Sequence, residues 1–366
     1  MHLYLHIPFC HRICPYCSFY KHTPGDSSIR LFIDALLAEA QKRAQELPSQ
    51  TIETLYLGGG TPSMLSPTHL RLLFSGLREA FEFSDEAELT MEANPATFTS
   101  STAQLYLELG LNRISLGVQS FDPDILTTLG REHTPEQAKD SFHCLREAGM
   151  PSINIDLMFS IPGQSQDSWG DTLDTALALK PDHLSCYNLT YEEDTPFFDR
   201  LTSGEWHDDD DLNATLFTLA HEKLTHAGYH HYETSNYAHP GHESSHNRGY
   251  WNGADYLGLG PSAVSTVSGR RWKNIPDSAR YQHMIKTVGH AEHESEIIGE
   301  AEFQTERITL LLRTSTGLPL KYLPANASDA ITRLEQNKLA LVENNHLRLI
   351  GDGPLLVDSI ALELIC

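Results

Sequence analysis

The sequence predicts an α/β protein: a partial (β/α)6 barrel, then a C-terminal α+β extension and a small winged-helix-like domain. Three observations predict it. Six short strand-like segments recur with helical segments between them, the pattern of parallel β/α units. Polar motifs fall at the carboxyl ends of those runs, where parallel folds carry out chemistry. After about residue 195 the alternation gives way to amphipathic helices, short strands and glycine-rich turns. The expected divisions are 1–200 for the barrel, 201–295 for the extension and 296–366 for the small domain.

The chain has 366 residues and a formal net charge of −23. That length supports two or three domains and a sizeable core. The acidity repels nucleic acid over most of the surface and excludes it as an expected partner. No apolar run approaches membrane-spanning length, and no basic region followed by an apolar stretch opens the chain, so a cytoplasmic, soluble protein is expected. Asp208 to Asp211, after His207, read as the acidic first turn of a helix and not as a metal site. Twenty histidines leave room for a heme ligand or proton donors.

The first strand, residues 3–7, runs directly into Cys10, Cys14 and Cys17 in C-x3-C-x2-C spacing. Three thiolates on one tight loop hold three irons of a 4Fe-4S cube, and no fourth cysteine lies nearby for the last iron. An open iron beside a chelating amino acid such as S-adenosylmethionine (AdoMet) can reduce its sulfonium and release a 5′-deoxyadenosyl radical. Zinc fits less well, because its usual sites draw four ligands from two pairs. A disulfide framework does not suit a long chain with six cysteines and no secretory signal. Cys144, Cys186 and Cys366 stand singly, as buried small hydrophobes or a terminal thiol. The spacing, with Tyr16 inside it, resembles the signature of the radical-AdoMet (radical SAM) superfamily.

The remaining strands are expected at 53–57, 88–92, 113–117, 152–157 and 183–188. Helical periodicity marks Ile29–Leu47, Pro67–Phe81, Ser101–Leu109, Pro135–Ala148 and Trp169–Leu179. Gly58-Gly59-Gly60-Thr61-Pro62 follows the second strand; without Cβ atoms, its backbone can approach the amino group of a methionine moiety, or it is a plain turn. Glu92 ends the third strand and suits ribose hydroxyls, whereas Gln119, past the fourth, can donate and accept. Arg131 either pairs with a carboxylate or makes a surface salt bridge. Asp156 lies in an apolar run and either caps the next turn or faces the site. Tyr187-Asn188 ends the sixth strand. These motifs meet on one face, around the cysteine loop.

In the extension, Leu212–Ala227 reads as a helix and Tyr229–Ala238 as strand with aromatic alternation. His246-Asn247-Arg248-Gly249-Tyr250-Trp251 follows, and the glycine and proline density over 249–261 marks a loop brought close to something. Helices are expected over Pro276–Val288, Glu302–Leu312 and Ser328–Asn337, with a hairpin near Leu339–Leu349.

Over nearly its whole length the chain resembles the coproporphyrinogen-dehydrogenase-like radical-AdoMet proteins, and among them the HemW-type heme chaperones. The cysteine signature stands almost at the N-terminus, and Phe19 occupies the position of the dehydrogenase's fourth cysteine. His246-Asn247-x-x-Tyr250-Trp251 matches the chaperones' H-N-x-x-Y-W motif, and Glu306–Leu318 is similar to their C-terminal domain. The resemblance implies cluster ligation by Cys10, Cys14 and Cys17, with Tyr4 and Tyr16 beside it. It places Gly59, Gly60 and Thr61 on the methionine part of AdoMet, and Glu92, Gln119, Arg131 and Asp156 around AdoMet, of which one or two molecules bind. It also implies heme binding and transfer to acceptor proteins of respiration, some of them membrane-bound. His246, with Tyr250 and Trp251, either ligates heme or braces the loop, and Cys14-Pro15 is a weaker ligand candidate. A competing expectation is an enzyme with the same cluster and AdoMet, decarboxylating a porphyrinogen as an oxygen-independent coproporphyrinogen III oxidase or acting as a HemN-like methyltransferase.

Overall fold

The computed structural model describes residues 1–25, 28–47 and 51–365. Cys366 lies outside them. The barrel comprises β1 (His2–Ile7), α1 (Ile29–Glu46), β2 (Ile52–Gly59), α2 (Pro67–Ala80), β3 (Phe83–Ala93), α3 (Ser100–Glu108) and β4 (Arg113–Gln119). It continues with α4 (Pro123–Thr128), α5 (Pro135–Ala148), β5 (Ser152–Phe159), α6 (Gln166–Leu179) and β6 (His183–Asn188). Helix starts follow side-chain chemistry: Ser28, Ser66, Thr99, Thr134 and Ser165 each accept a hydrogen bond from a first-turn backbone N–H. At α5, Thr134 and Gln137 complete a reciprocal capping box.

Beyond the barrel come α7 (Pro196–Thr202), α8 (Asp210–His226), β7 (His230–Glu233), β8 (Asn236–Ala238), α9 (Ser245–Trp251), β9 (Tyr256–Leu259), β10 (Val264–Val267), β11 (Arg270–Asn274), α10 (Ser278–Thr287) and β12 (Glu292–Ile297). As the acidic run suggests, Asp209 caps α8 by accepting from Leu212 N at 3.0 Å. The last segment holds α11 (Glu300–Leu311), β13 (Leu318–Pro319), α12 (Ser328–Gln336), β14 (Ala340–Glu343), β15 (His346–Leu349) and α13 (Val357–Ile365). It packs around its own apolar cluster, including Ile308, Leu334, Leu347 and Ile360.

One twelve-stranded sheet organises the rest, in the order β12-β11-β10-β9-β1-β2-β3-β4-β5-β6-β8-β7. The six expected strands lie side by side and parallel, and a seventh, β9, pairs parallel with β1 through Leu3↔Leu257 and Leu5↔Leu259. The segment 249–261 is therefore a loop only in part, at 252–255, between the end of α9 and strand β9, and at 260–261, after β9. Two of its glycines serve close packing inside helix and strand: a Cβ on Gly249 would stand 2.5 Å from the His2 ring, and one on Gly258 2.2 Å from the Val264 carbonyl oxygen. Antiparallel strands flank the parallel core at both ends. The buried core runs from Leu3 and Leu5 through Leu55, Met91, Ile114 and Ile155 to Leu184, under α1, α2, α5, α6 and α8.

The alternation of the strands sends Leu3, Leu5 and Ile7 into the core under the helices and Tyr4 to the opposite, concave face. Among the described residues no helix is long and apolar enough to cross a membrane.

Candidate cluster and cofactor cavity

The cysteine loop leaves the end of β1 and is fixed at its base. His22 N donates to Pro8 O at 2.8 Å and Cys10 N to His22 O at 3.1 Å, closing the loop into a short two-stranded bridge. At its tip Cys17 N donates to Cys14 O at 3.2 Å. Tyr16 anchors the far side by packing on Phe197 at 5.9 Å, beside the small apolar cluster of Ile125, Leu129, Met158 and Leu189. Gly130, at φ +67°, approaches Pro15 so closely that a Cβ would stand 2.9 Å from its Cδ.

Cys10, Cys14 and Cys17 are half-buried, free thiols on the wall of one cavity of about 430 Å³. The same cavity is lined by Tyr16, Gly59, Gly60, Thr61, Glu92, Gln119, Arg131 and Asp156. The carboxyl ends of β2 to β5 thus bring these candidates from separate strands to the thiols, as the parallel order requires.

A polar chain joins two of the cysteines. Thr61 Oγ1 faces Cys10 Sγ at 3.6 Å and accepts from Asn94 Nδ2 at 3.1 Å. Asn94 Oδ1 accepts from Arg131 Nη2 at 2.6 Å, and Arg131 Nη1 reaches Cys14 Sγ at 3.7 Å. Arg131 also donates to Gly117 O at 2.6 Å, so it is no surface salt bridge. Gly117 is small for a reason: a Cβ there would stand 3.0 Å from Asn94 Oδ1 and 3.2 Å from Gln119 Nε2. The bulge at 117–119 turns Gln119 to φ 69°, an uncommon conformation for a non-glycine residue that aims its amide at the cavity.

Two carboxylates form the opposite wall. Glu92 accepts from Tyr56 OH at 3.0 Å and Gly59 N at 3.2 Å. Burial, and then the charge of Asp156, push its pKa up to about 7. Asp156 accepts from Ser115 Oγ at 2.9 Å and Asn154 Nδ2 at 2.7 Å, with burial raising its pKa against those bonds. Behind it, Asn154 Oδ1 bonds His183 at 2.7 Å, and His183 bonds Tyr232 OH at 2.8 Å. Both acids sit where a cationic ligand would favour ionisation, and AdoMet offers a sulfonium and an ammonium.

Among the described residues, no three His, Cys, Asp or Glu side chains converge closely enough to hold a single metal ion. Three thiols on three different irons of a cube are more widely spaced than the ligands of one ion, so this arrangement suits the cube. The donor set, the free thiols and the adjoining cavity fit a cluster; Gly60 is small because it packs on the chain leaving β1, where a Cβ would stand 2.7 Å from the carbonyl oxygens of Ile7 and Phe9.

Tyr4 and His246 fall elsewhere. Tyr4 lines a second cavity on the concave face, stacks against Tyr56 at 6.2 Å and bonds His6 Nδ1 at 3.1 Å. His246 is buried beneath the sheet face, and the expectation that it offers a nitrogen to heme does not match this placement. Its Nδ1 bonds Thr54 Oγ1 at 2.6 Å, its Nε2 bonds Tyr250 OH at 2.9 Å, and its ring stacks on Tyr56 at 5.1 Å. Glu88 at the base of β3 accepts from the backbone N–H groups of Ser245 and His246 at 2.9 and 3.1 Å, holding the start of α9. Burial lowers the His246 pKa to about 3, consistent with a neutral ring bridging two hydroxyls. This geometry is that of the bracing alternative.

Sequence reasoning left out Ser115, Asn154 and Tyr56, which shape the cavity or support its acids. Asn94 and Tyr187, at the ends of the third and sixth strands, line the cavity, and Asn94 links Thr61 to Arg131.

Residues 4–176 match the Radical SAM superfamily model. The chain is 34% identical to the heme chaperone HemW of Mycobacterium tuberculosis, over 99% of this chain and 94% of that protein. It is 40% identical to the heme chaperone HemW of Escherichia coli K12, over 73% of this chain and 70% of that protein. The solved structure of the E. coli coproporphyrinogen III oxidase HemN, described as a radical SAM enzyme, superposes with a TM-score of 0.85 over 99% of this chain and 89% of that one. At 24% identity, it shows the shared fold. By its cysteine-lined cavity and its similarity over essentially its whole length, the chain belongs to the radical SAM superfamily and, within it, to the HemW heme chaperone family.

Proposed function

We propose that this protein is a heme chaperone that holds a 4Fe-4S cluster on Cys10, Cys14 and Cys17, binds AdoMet beside it, and passes heme to acceptor proteins. The observation that carries the reading is the near full-length similarity to proteins named heme chaperones, joined to three free thiols on one cavity wall. A cluster so held, with one iron open, supplies one-electron reduction of a bound sulfonium. This chain's own residues position the ligand. Gly59, Gly60 and Thr61 present backbone and hydroxyl to its amino-acid part. Glu92 and Asp156 take its hydroxyls and positive charge, Gln119 completes the rim, and Arg131 steadies Cys14 directly and Cys10 through Asn94 and Thr61. Tyr16 packs the loop against the cavity floor.

Heme transfer is favoured over turnover by Phe19, which stands 68% exposed two positions past Cys17. A side chain of that kind supplies no thiol and offers an apolar contact to a flat ligand or an acceptor. The acceptors are heme proteins of respiration, reached from the cytoplasm, some at the membrane surface. The deciding experiment is anaerobic reconstitution followed by parallel hemin and AdoMet titrations, then incubation with AdoMet, reductant and coproporphyrinogen. Saturable one-to-one hemin binding without decarboxylated product supports the chaperone. Product above a cluster-free control, with no saturable hemin binding, overturns it in favour of the porphyrinogen enzyme.

A further inference from the structure

A second cavity, of about 760 Å³, lies on the same concave face as the cysteine cavity, on the far side of Tyr4. Its volume is in the range of pockets that enclose a sizeable organic ligand. One wall is the sheet's inner face at β1 and β9 to β11, with Tyr256 and Val264; the other is α11, with Phe303 and Leu310. Phe19, from the cysteine loop, lines both this cavity and the cysteine cavity, so the two adjoin at that side chain. Two cations stand at the sheet side. Arg271 is committed, forking onto Glu306 at 2.6 and 2.8 Å. Lys273 enters none of the ion pairs that hold its neighbours Arg270 and Arg271. An apolar slot with an ammonium at its edge that enters no ion pair among the described residues matches a flat macrocycle carrying carboxylates.

The H-N-x-x-Y-W helix reaches this cavity through one residue. Tyr250 lines it, and His246 fixes the Tyr250 hydroxyl from behind.

Building on the heme-chaperone reading, we infer that heme is seated in this cleft between β9–β11 and α11, with Lys273 pairing a propionate, Phe19 against the ring edge toward the cluster, and Tyr250 on the inner wall. The motif's histidine is a positioning residue for that wall. The macrocycle and AdoMet then occupy adjoining cavities separated by Tyr4 and the cysteine loop.

The test uses the full chain with its cluster reconstituted, titrated with hemin, hemin dimethyl ester and, separately, AdoMet. Lys273→Glu removes the propionate partner and Val264→Trp fills the slot; circular dichroism and the cluster's visible absorbance confirm that each variant is folded and loaded. The expected result is a loss of about tenfold or more in hemin affinity for each, the size of one charge-assisted contact, with AdoMet affinity unchanged. Wild type prefers hemin to its dimethyl ester, and Lys273→Glu does not. Wild-type hemin affinity in both variants overturns the cleft assignment while leaving the chaperone reading standing. Absence of saturable hemin binding in the wild type overturns the chaperone reading itself. Hemin and AdoMet affinities falling together in folded variants contradict separate cavities.

Discussion

His246 Nε2 and the Tyr250 hydroxyl stand 2.9 Å apart, one turn apart on α9, with the imidazole buried and the phenol on the wall of the second cavity. The motif is thus a lever whose fixed end is Thr54 on β2 and whose free end faces the ligand cleft. His246→Ala leaves Thr54 Oγ1 with the His2 ring alone, at 2.9 Å, strips the Tyr250 hydroxyl of its partner and empties a stacked site beside Tyr56, at a cost of roughly 2–4 kcal/mol. The expected outcome is a lowered thermal midpoint, with hemin affinity reduced no further than in Tyr250→Phe. Abolished hemin binding in His246→Ala with wild-type binding in Tyr250→Phe restores direct ligation by the histidine.

Arg131 holds Asn94, Gly117 and Cys14 with one planar fork, a set of angles that a single ammonium cannot match. Arg131→Ala and Arg131→Lys are both expected to lower the yield of reconstituted cluster and to weaken AdoMet binding about 10- to 100-fold, the range typical of residues that orient metal ligands. Iron and sulfide assays with isothermal titration measure both. Wild-type behaviour in the lysine variant removes the fork from the account.

Glu92 makes AdoMet binding pH-dependent. With its pKa pushed up to about 7 in the free protein, it must release a proton to meet a cationic ligand, so AdoMet affinity rises with pH up to about 7 and then levels. The stability of the free protein runs the other way. Between the unfolded carboxylate pKa and about 7 the native state holds the extra proton, so the stabilising contribution present at low pH is lost as pH rises through 7. Glu92→Gln is expected to gain stability relative to wild type as pH rises, by up to about 3 kcal/mol, while losing AdoMet. Denaturant titrations at pH 5 and pH 8 test the sign; a wild-type difference between them that persists in Glu92→Gln assigns the effect to another group.

The extension is tied to the barrel by a buried acid. Glu39 on α1 accepts from Tyr281 OH at 2.6 Å, Asn274 Nδ2 at 2.7 Å and Gly260 N at 2.9 Å, and burial raises its pKa. Glu39→Ala strands three buried donors and is expected to cost roughly 3–5 kcal/mol. Chemical denaturation measures it; a cost under about 1 kcal/mol shows that water replaces the carboxylate.

What was legible in the sequence follows from range. The strands β1 to β6 announced themselves because each carries apolar residues at alternate positions, from Leu3, Leu5 and Ile7 to Leu184 and Cys186, and the cysteine spacing is local. The convergence of Glu92, Gln119 and Asp156 was legible because parallel order places strand ends together whatever the side chains do. Other features were not, and three of them show why. Helix α4 is only six residues long, too short for periodicity to register. Strand β9 is Tyr-Leu-Gly-Leu, and its glycine, there to clear the Val264 carbonyl, reads locally as loop punctuation. The placement of His246 depends on Thr54, 192 positions away, so a histidine set in a ligand-like motif could not be told from a brace.

The central claim, an open iron at the mouth of the AdoMet cavity, is tested most directly by electron paramagnetic resonance of the anaerobically reconstituted, dithionite-reduced protein with and without AdoMet. The account predicts about four irons per chain, a reduced-cluster signal whose g-values shift on adding AdoMet, and loss of that signal in Cys10→Ala, Cys14→Ala or Cys17→Ala but not in Cys144→Ala. A signal indifferent to AdoMet, or one that survives substitution of all three loop cysteines, contradicts it.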